Sequence, residues 1–319
     1  MIWLIGCKGM LGSEVAKQLD EAKLPWVGTD IEVDITNPEA LEKFAKTIET
    51  EAYFPSALSH SERQIKWVIN CSAYTNVDKA EEEQELAQKL NEEGARNIAR
   101  LTREIGAKLI HISTDYVFDG KGSIPYSEDM PKAPLGVYGK TKLAGEIAIQ
   151  KEMNTYYIIR TAWLYGFKGK NFVYSMTKAM NSRESVKVVN DQYGTPTCTV
   201  DLANVIIQFI EKNDNAKAFF GKKSAPAYGI YHFTNAGQTS WHDFATEIYR
   251  LGKKYGRIKN DCIIEACSTE DLKDAYPAPR PAMSILNKDK ITKALKLKIP
   301  LWKASLEKFL KNPEFNSAF

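Results

Sequence analysis

Tyr138 and Lys142 stand four residues apart in Tyr138-Gly-Lys-Thr-Lys142, so a helix there sets both on one face, one turn from each other. A phenol titrates near ~10 and is a poor acid at neutral pH, but an adjacent ammonium stabilises the phenolate and lowers that value. Bringing it to ~7 takes about 4 kcal/mol of differential stabilisation. Such a pair can pass a proton to a carbonyl oxygen. Thr114, in Ser113-Thr114-Asp115 after the apolar run Lys108-Leu-Ile-His-Ile112, could hydrogen-bond the same oxygen. Asp115 could bond a substrate hydroxyl or cap a turn. This is equipment for reducing a ketone, provided a hydride donor is present.

The elements that must position these groups can be read from hydrophobic pattern. Met1 to Ile5 is a short apolar run followed by Gly6-Cys-Lys-Gly9-Met-Leu-Gly12 and a helical pattern of Leu11, Val15 and Leu19. Glycines at that spacing let the backbone turn tightly and approach a pyrophosphate at the helix N-terminus. Up to about Arg160, short apolar runs alternate with longer amphipathic ones, which predicts a doubly wound parallel sheet. The expected strands are Ile2–Ile5, Trp26–Thr29, Lys66–Asn70, Lys108–Ile112 and Tyr156–Arg160, with helices starting near Leu11, Pro38, Glu82 and Gly136. Asn37 is the expected cap of the second helix. After Trp163 the alternation is irregular: helical patterns near Phe172–Met180, Asp201–Ile210, Trp241–Arg250 and Ser305–Leu310 mix with strands such as Val186–Val189 and Gly229–Phe233. The polar stretch Tyr53–Arg63, with Pro55 and His60, is expected to be a surface insertion without a catalytic role.

Together these residues resemble the short-chain dehydrogenase/reductase superfamily, in the extended branch that acts on nucleotide sugars and carries GxxGxxG. Several further blocks resemble the dTDP-4-dehydrorhamnose reductase family. They are Asn70-Cys-Ser-Ala-Tyr-Thr-Asn-Val-Asp-Lys-Ala-Glu81, Ser113-Thr-Asp-Tyr-Val-Phe-Asp-Gly120, Arg160-Thr-Ala-Trp-Leu-Tyr165, Asn190-Asp-Gln-Tyr-Gly-Thr-Pro-Thr197 and Arg280-Pro281. The resemblance implies an α/β fold with a Rossmann-type doubly wound parallel sheet over residues 1–162. A smaller C-terminal α/β substrate domain would span 163–319, with segments returning to the first.

It also implies roles. Tyr138 would be the general acid, Lys142 would assist it and bond the nicotinamide ribose, and Thr114 would orient the carbonyl. Gly6, Gly9, Met10, Leu11 and Gly12 would form the pyrophosphate turn. Asp30 would accept from the adenosine ribose, Asp34 and Ile35 would bracket the adenine, and Ala73, Tyr74 and Thr75 would run along the ribose and pyrophosphate. Asp30 argues for NADH and Lys8 for NADPH; either is expected to work. On the substrate side, Trp163 would pack on the sugar or belong to the core. Asn171 at a helix start and Arg280 between two prolines would hold a diphosphate, or Arg280 would be a surface residue.

The implied reaction is reduction of a 4-keto nucleotide sugar, dTDP-4-dehydro-β-L-rhamnose first among them. Two alternatives stay open: another nucleotide-linked 4-keto sugar, or a non-catalytic role like that of the methionine adenosyltransferase β subunit. Departures from the family pattern are Met283 where an Asn is common and the Tyr53–Arg63 insertion. Thr199 stands where some members place a Mg²⁺-binding glutamate. Glu14 matches one such position, and no metal is expected.

Composition bounds the rest. The chain has 319 residues with 43 basic and 40 acidic side chains, a net charge of +3 too balanced for a nucleic-acid surface. Five scattered cysteines without CxxC spacing suit free thiols in a reducing compartment. The apolar start is too short for a signal peptide and no run reaches the length of a membrane span. The expectation is a cytoplasmic monomer or homodimer.

Overall fold

The computed structural model describes residues 1–49, 63–215, 218–219, 222–223 and 225–318. Its first half runs β1 (Ile2–Ile5), α1 (Met10–Glu21), β2 (Trp26–Thr29), α2 (Pro38–Glu49), β3 (Trp67–Asn70), α3 (Gly94–Glu104), β4 (Lys108–Thr114), α4 (Val137–Glu152) and β5 (Tyr156–Thr161). Then come α5 (Phe172–Ser182), α6 (Thr199–Asp214), β6 (Gly229–His232) and α7 (Trp241–Lys254), with short strands between them. The expected strands all form. Asn37 caps α2 by accepting from Glu39 N at 3.0 Å. The helix expected near Glu82 begins at Gln84, after a separate short helix Val77–Glu82 capped by Asn76, and passes through a π turn, Lys89–Glu93, before α3. Of the Tyr53–Arg63 stretch only Arg63, which is buried, is described; the rest, His60 included, lies outside the described residues.

Six strands pair in parallel in the order β6-β5-β4-β3-β1-β2. β1 and β3 are buried along their whole length, because helices cover both faces of the sheet. On one face Leu11, Val15 and Leu19 of α1 meet Leu202, Ile206 and Phe209 of α6. On the other, Ala45 and Ile48 of α2, Ile98 of α3 and Ile149 of α4 form a second core. A third core joins Val173 and Met180 of α5 to Phe244 and Ile248 of α7 and to Trp302, Leu306 and Phe309 near the C-terminus.

The strand order reverses between β1 and β3. In an open parallel sheet that reversal leaves a crevice beyond the carboxyl ends of the strands, the usual seat of a ligand.

Candidate active site

A cavity of about 850 Å³ opens at that crevice. Its walls carry Gly6, Gly9, Met10, Leu11, Asp30, Asp34, Ile35, Ala73 and Thr75 at one end, and Thr114, Asp115, Tyr138, Lys142 and Trp163 at the other. Residues spread from position 6 to position 163 therefore converge on one space.

The glycine turn is built for a close approach. Gly6 has φ +78°, and a Cβ on it would lie 2.9 Å from Ser72 N. A Cβ on Gly12 would sit 2.0 Å from the Gly6 carbonyl oxygen. Gly12 does not line the cavity; its hydrogen allows α1 to begin at Met10, with the first-turn N–H groups directed to the site. These residues fit a dinucleotide pyrophosphate.

At the end of β2, one Asp30 oxygen accepts from Lys8 N at 2.9 Å and the other from Ile31 N at 3.0 Å. Glu32, which sequence reasoning missed, accepts from Asp30 N at 2.8 Å and from Lys8 Nζ at 3.0 Å. The Lys8 charge is thus already engaged. Asp34 accepts from Thr36 N and Oγ1, which lowers its pKa.

Tyr138 and Lys142 project from the first turns of α4, whose N-cap is Gly136. The Tyr138 ring meets Tyr116 edge-on at 5.4 Å. Burial pushes the Tyr138 phenol up to about 12; Thr114 beside it works the other way and Asp115 adds to the rise. The expected lowering by Lys142 together with the positive nicotinamide of a bound oxidised cofactor is not present in the protein alone. In the protein alone Lys142 Nζ donates to the Ile112 carbonyl at 2.8 Å, and burial lowers its own pKa to about 8. Desolvation outweighs the opposing hydrogen bond of Thr114 and holds the phenol above its ordinary value. Thr114 donates to Asp115 Oδ1 at 3.0 Å. Asp115 Oδ2 is buried without a hydrogen-bond partner, and burial raises the carboxyl to about 7, although Thr114 and Ser284 oppose the rise.

Two buried constellations behind the site were missed. Glu146, one turn beyond Lys142, accepts from Arg160 Nη2 at 2.6 Å and Nε at 2.8 Å, and Ser113 donates to it. Both partners of this ion pair are fully buried. A signal was available: an acid continuing the i, i+4 series of Tyr138 and Lys142. Asn91, in the π turn, accepts from Tyr74 N at 2.9 Å and donates to Thr141 of α4 at 3.1 Å.

Some expected residues sit elsewhere. Tyr74 does not line the cavity; its phenol donates to Glu83 at 2.5 Å. Asn171 begins α5 as expected, but its side chain is spent on Tyr174 N and the Gly166 carbonyl and lies outside the cavity wall. Arg280 also lies outside the wall and grips Asp78 through two nitrogens at 3.0 and 2.7 Å. Trp163 lines the cavity and is also core: it adopts φ +49° and stacks on Trp241 at 3.7 Å. Glu14 is buried and accepts from Gln18, while Thr199 is buried with no partner for its hydroxyl.

Over residues 1–315 the chain matches the RmlD substrate binding domain family. It belongs to that family. A member-like relative, the dTDP-4-dehydrorhamnose reductase of Streptomyces griseus, is 40% identical over 309 residues, 95% of this chain and 91% of that protein. A probable dTDP-4,6-dihydroxy-2-methyloxan-3-one 4-ketoreductase of Streptomyces antibioticus is 38% identical over 91% of this chain and 88% of its own. The crystal structure of a Bacillus anthracis dTDP-4-dehydrorhamnose reductase in complex with NADP superposes with a TM-score of 0.82 at 34% identity, covering 97% of each chain. The Tyr138, Thr114 and glycine-turn geometry therefore stands in a chain whose relatives include proteins named as dTDP-4-dehydrorhamnose reductases.

Proposed function

We propose that this chain is a cytoplasmic enzyme that reduces the 4-keto group of dTDP-4-dehydro-β-L-rhamnose to dTDP-L-rhamnose. NADPH or NADH, bound along Gly6–Gly12 and Asp30, supplies the hydride. The observation that carries this reading is the convergence of Tyr138, Thr114 and Lys142 with the glycine turn on one cavity. The family match and the relatives' names support it. Among the described residues no helix is long and apolar enough to cross a membrane.

Thr114 orients the carbonyl oxygen and Tyr138 gives it a proton as hydride adds to the carbon. The raised phenol value keeps that proton in place until the carbonyl oxygen gains basicity. The orphaned Asp115 Oδ2 takes a sugar hydroxyl, and Trp163 offers a flat apolar wall to the ring. The lobe built on α5 and α7 holds the nucleotide end, with Arg280 as a candidate diphosphate group; Asn171 could serve only by releasing Tyr174 N and the Gly166 carbonyl. Asp78 must share Arg280 with that ligand.

The test is oxidation of NADH and NADPH by dTDP-4-dehydrorhamnose. Tyr138→Phe is expected to lower kcat by about 10²–10⁴, the range of general-acid catalysis, with cofactor affinity retained. Undiminished turnover in that variant removes Tyr138 from the role. The Streptomyces antibioticus relative favours a second reading, another dTDP-linked 4-keto sugar, and a substrate panel ranked by kcat/KM separates the two.

A further inference from the structure

We propose that His111, held by Asn70 with its ring hydrogen on Nε2, keeps Lys142 able to release and regain its proton and so to reload Tyr138 between turnovers. The proposal rests on the reductase reading above, but its geometry does not. Asn70 Oδ1 accepts from Ser72 N at 2.9 Å and Ser72 Oγ at 2.6 Å, which fixes the amide. Its Nδ2 therefore faces His111 Nδ1, at 3.0 Å. An amide nitrogen only donates, so Nδ1 must be a bare acceptor and a neutral imidazole carries its hydrogen on Nε2. Burial and the nearby Lys142 hold His111 neutral, well below its usual value.

His111 Nε2 lies 3.5 Å from Lys142 Nζ. An ammonium has three hydrogens and no lone pair. One hydrogen serves the Ile112 carbonyl. Toward His111 an ammonium sets donor against donor, whereas a neutral amine can accept from Nε2–H. The ring thus favours the amine.

Other groups face Nζ as well. Glu146 on α4 favours the ammonium. Cys71, just past β3, is a buried thiol pushed up to about 12 and hence uncharged; Tyr138, one turn back on α4, is likewise protonated. Burial outweighs Glu146 and lowers Lys142 to about 8; the Nε2–H of His111 facing Nζ acts in the same direction as burial.

The proton balance is simple. Tyr138 breaks its O–H bond to the carbonyl oxygen. The phenolate then takes a proton from the Lys142 ammonium; the amine lone pair accepts from Nε2–H until it gives up that bond for a proton from a solvent water, whose hydroxide leaves to bulk. His111 keeps its own hydrogen throughout and is a positioning residue.

Two measurements on the full chain without substrate test this. The ¹⁵N spectrum of histidine-labelled protein, assigned with His111→Gln, should show the His111 hydrogen on Nε2; an Nδ1–H ring overturns the proposal. With ¹³Cε-labelled lysine, assigned through Lys142→Met, the Lys142 titration should rise by about one pH unit in His111→Leu. It should stay near the wild-type value in His111→Gln, whose amide can accept from Asn70 and donate to Lys142. The alkaline limb of kcat should move in the same order. A Lys142 titration unchanged or lowered in His111→Leu overturns the role. If that variant does not fold, the ring tautomer decides alone. Failure of the reductase reading would show separately, as no sugar-dependent cofactor oxidation.

Discussion

Burial raises the Asp115 carboxyl to about 7 from 3.8, even though Thr114 donates to one of its oxygens. Between those values the folded chain binds a proton that the unfolded chain has released. Stability contributed by this group is therefore greatest at low pH and falls as pH rises from about 4 to about 7. Asp115→Asn should remove that slope. Its stability should exceed the wild type's at pH 8, with a ceiling of about 4 kcal/mol, and converge on it only toward pH 4, as read by urea unfolding. A pH-independent difference would show that Asp115 is not the titrating group. The same variant should bind the sugar more weakly, since a carboxylate accepts a hydroxyl's hydrogen more strongly than an amide oxygen does.

At the scale of the element, α4 carries Tyr138, Lys142 and Glu146 at successive turns of one face. The first two face the cavity, and the third clamps the helix to β4 through Ser113 and to β5 through Arg160. Removing one partner of a fully buried ion pair leaves the other charge unpaired, at a cost of about 3–5 kcal/mol. Glu146→Ala should lose about that much stability by urea unfolding. A loss below about 1 kcal/mol would mean that the clamp is not what holds the helix. The Tyr/Lys spacing made α4 legible, because an i, i+4 pair has meaning only on a helix. The role of Arg160 was not legible in the sequence, since nothing in linear spacing links it to Glu146.

The whole molecule does not divide where the sequence alternation ends. β6 pairs with β5, residue Ile230 opposite Ile158. α6 covers α1, and Ile291 and Leu295 enter the same core. We propose that residues 163–319 supply the substrate lobe and also finish the first sheet. A fragment of residues 1–162 would expose Leu11, Val15, Leu19 and Tyr157, all buried in the complete chain. It should give no cooperative thermal transition by circular dichroism. A cooperative transition with retained cofactor binding would establish the fragment as a separate unit.

By itself the sequence determined the chemistry of the site and the sheet that carries it. Both depend on local signals: glycines at a turn, a Tyr and a Lys one helical turn apart, and buried runs read by their period. Tertiary structure decided what those groups become. It showed burial, not Lys142, dominating the Tyr138 phenol, and it set His111 between Asn70 and Lys142. It also paired Arg280 with Asp78 and brought Gly229–His232 back to the sheet. Solvent exclusion and contact between residues distant along the chain arise only when the chain closes on itself, so no local pattern encodes them.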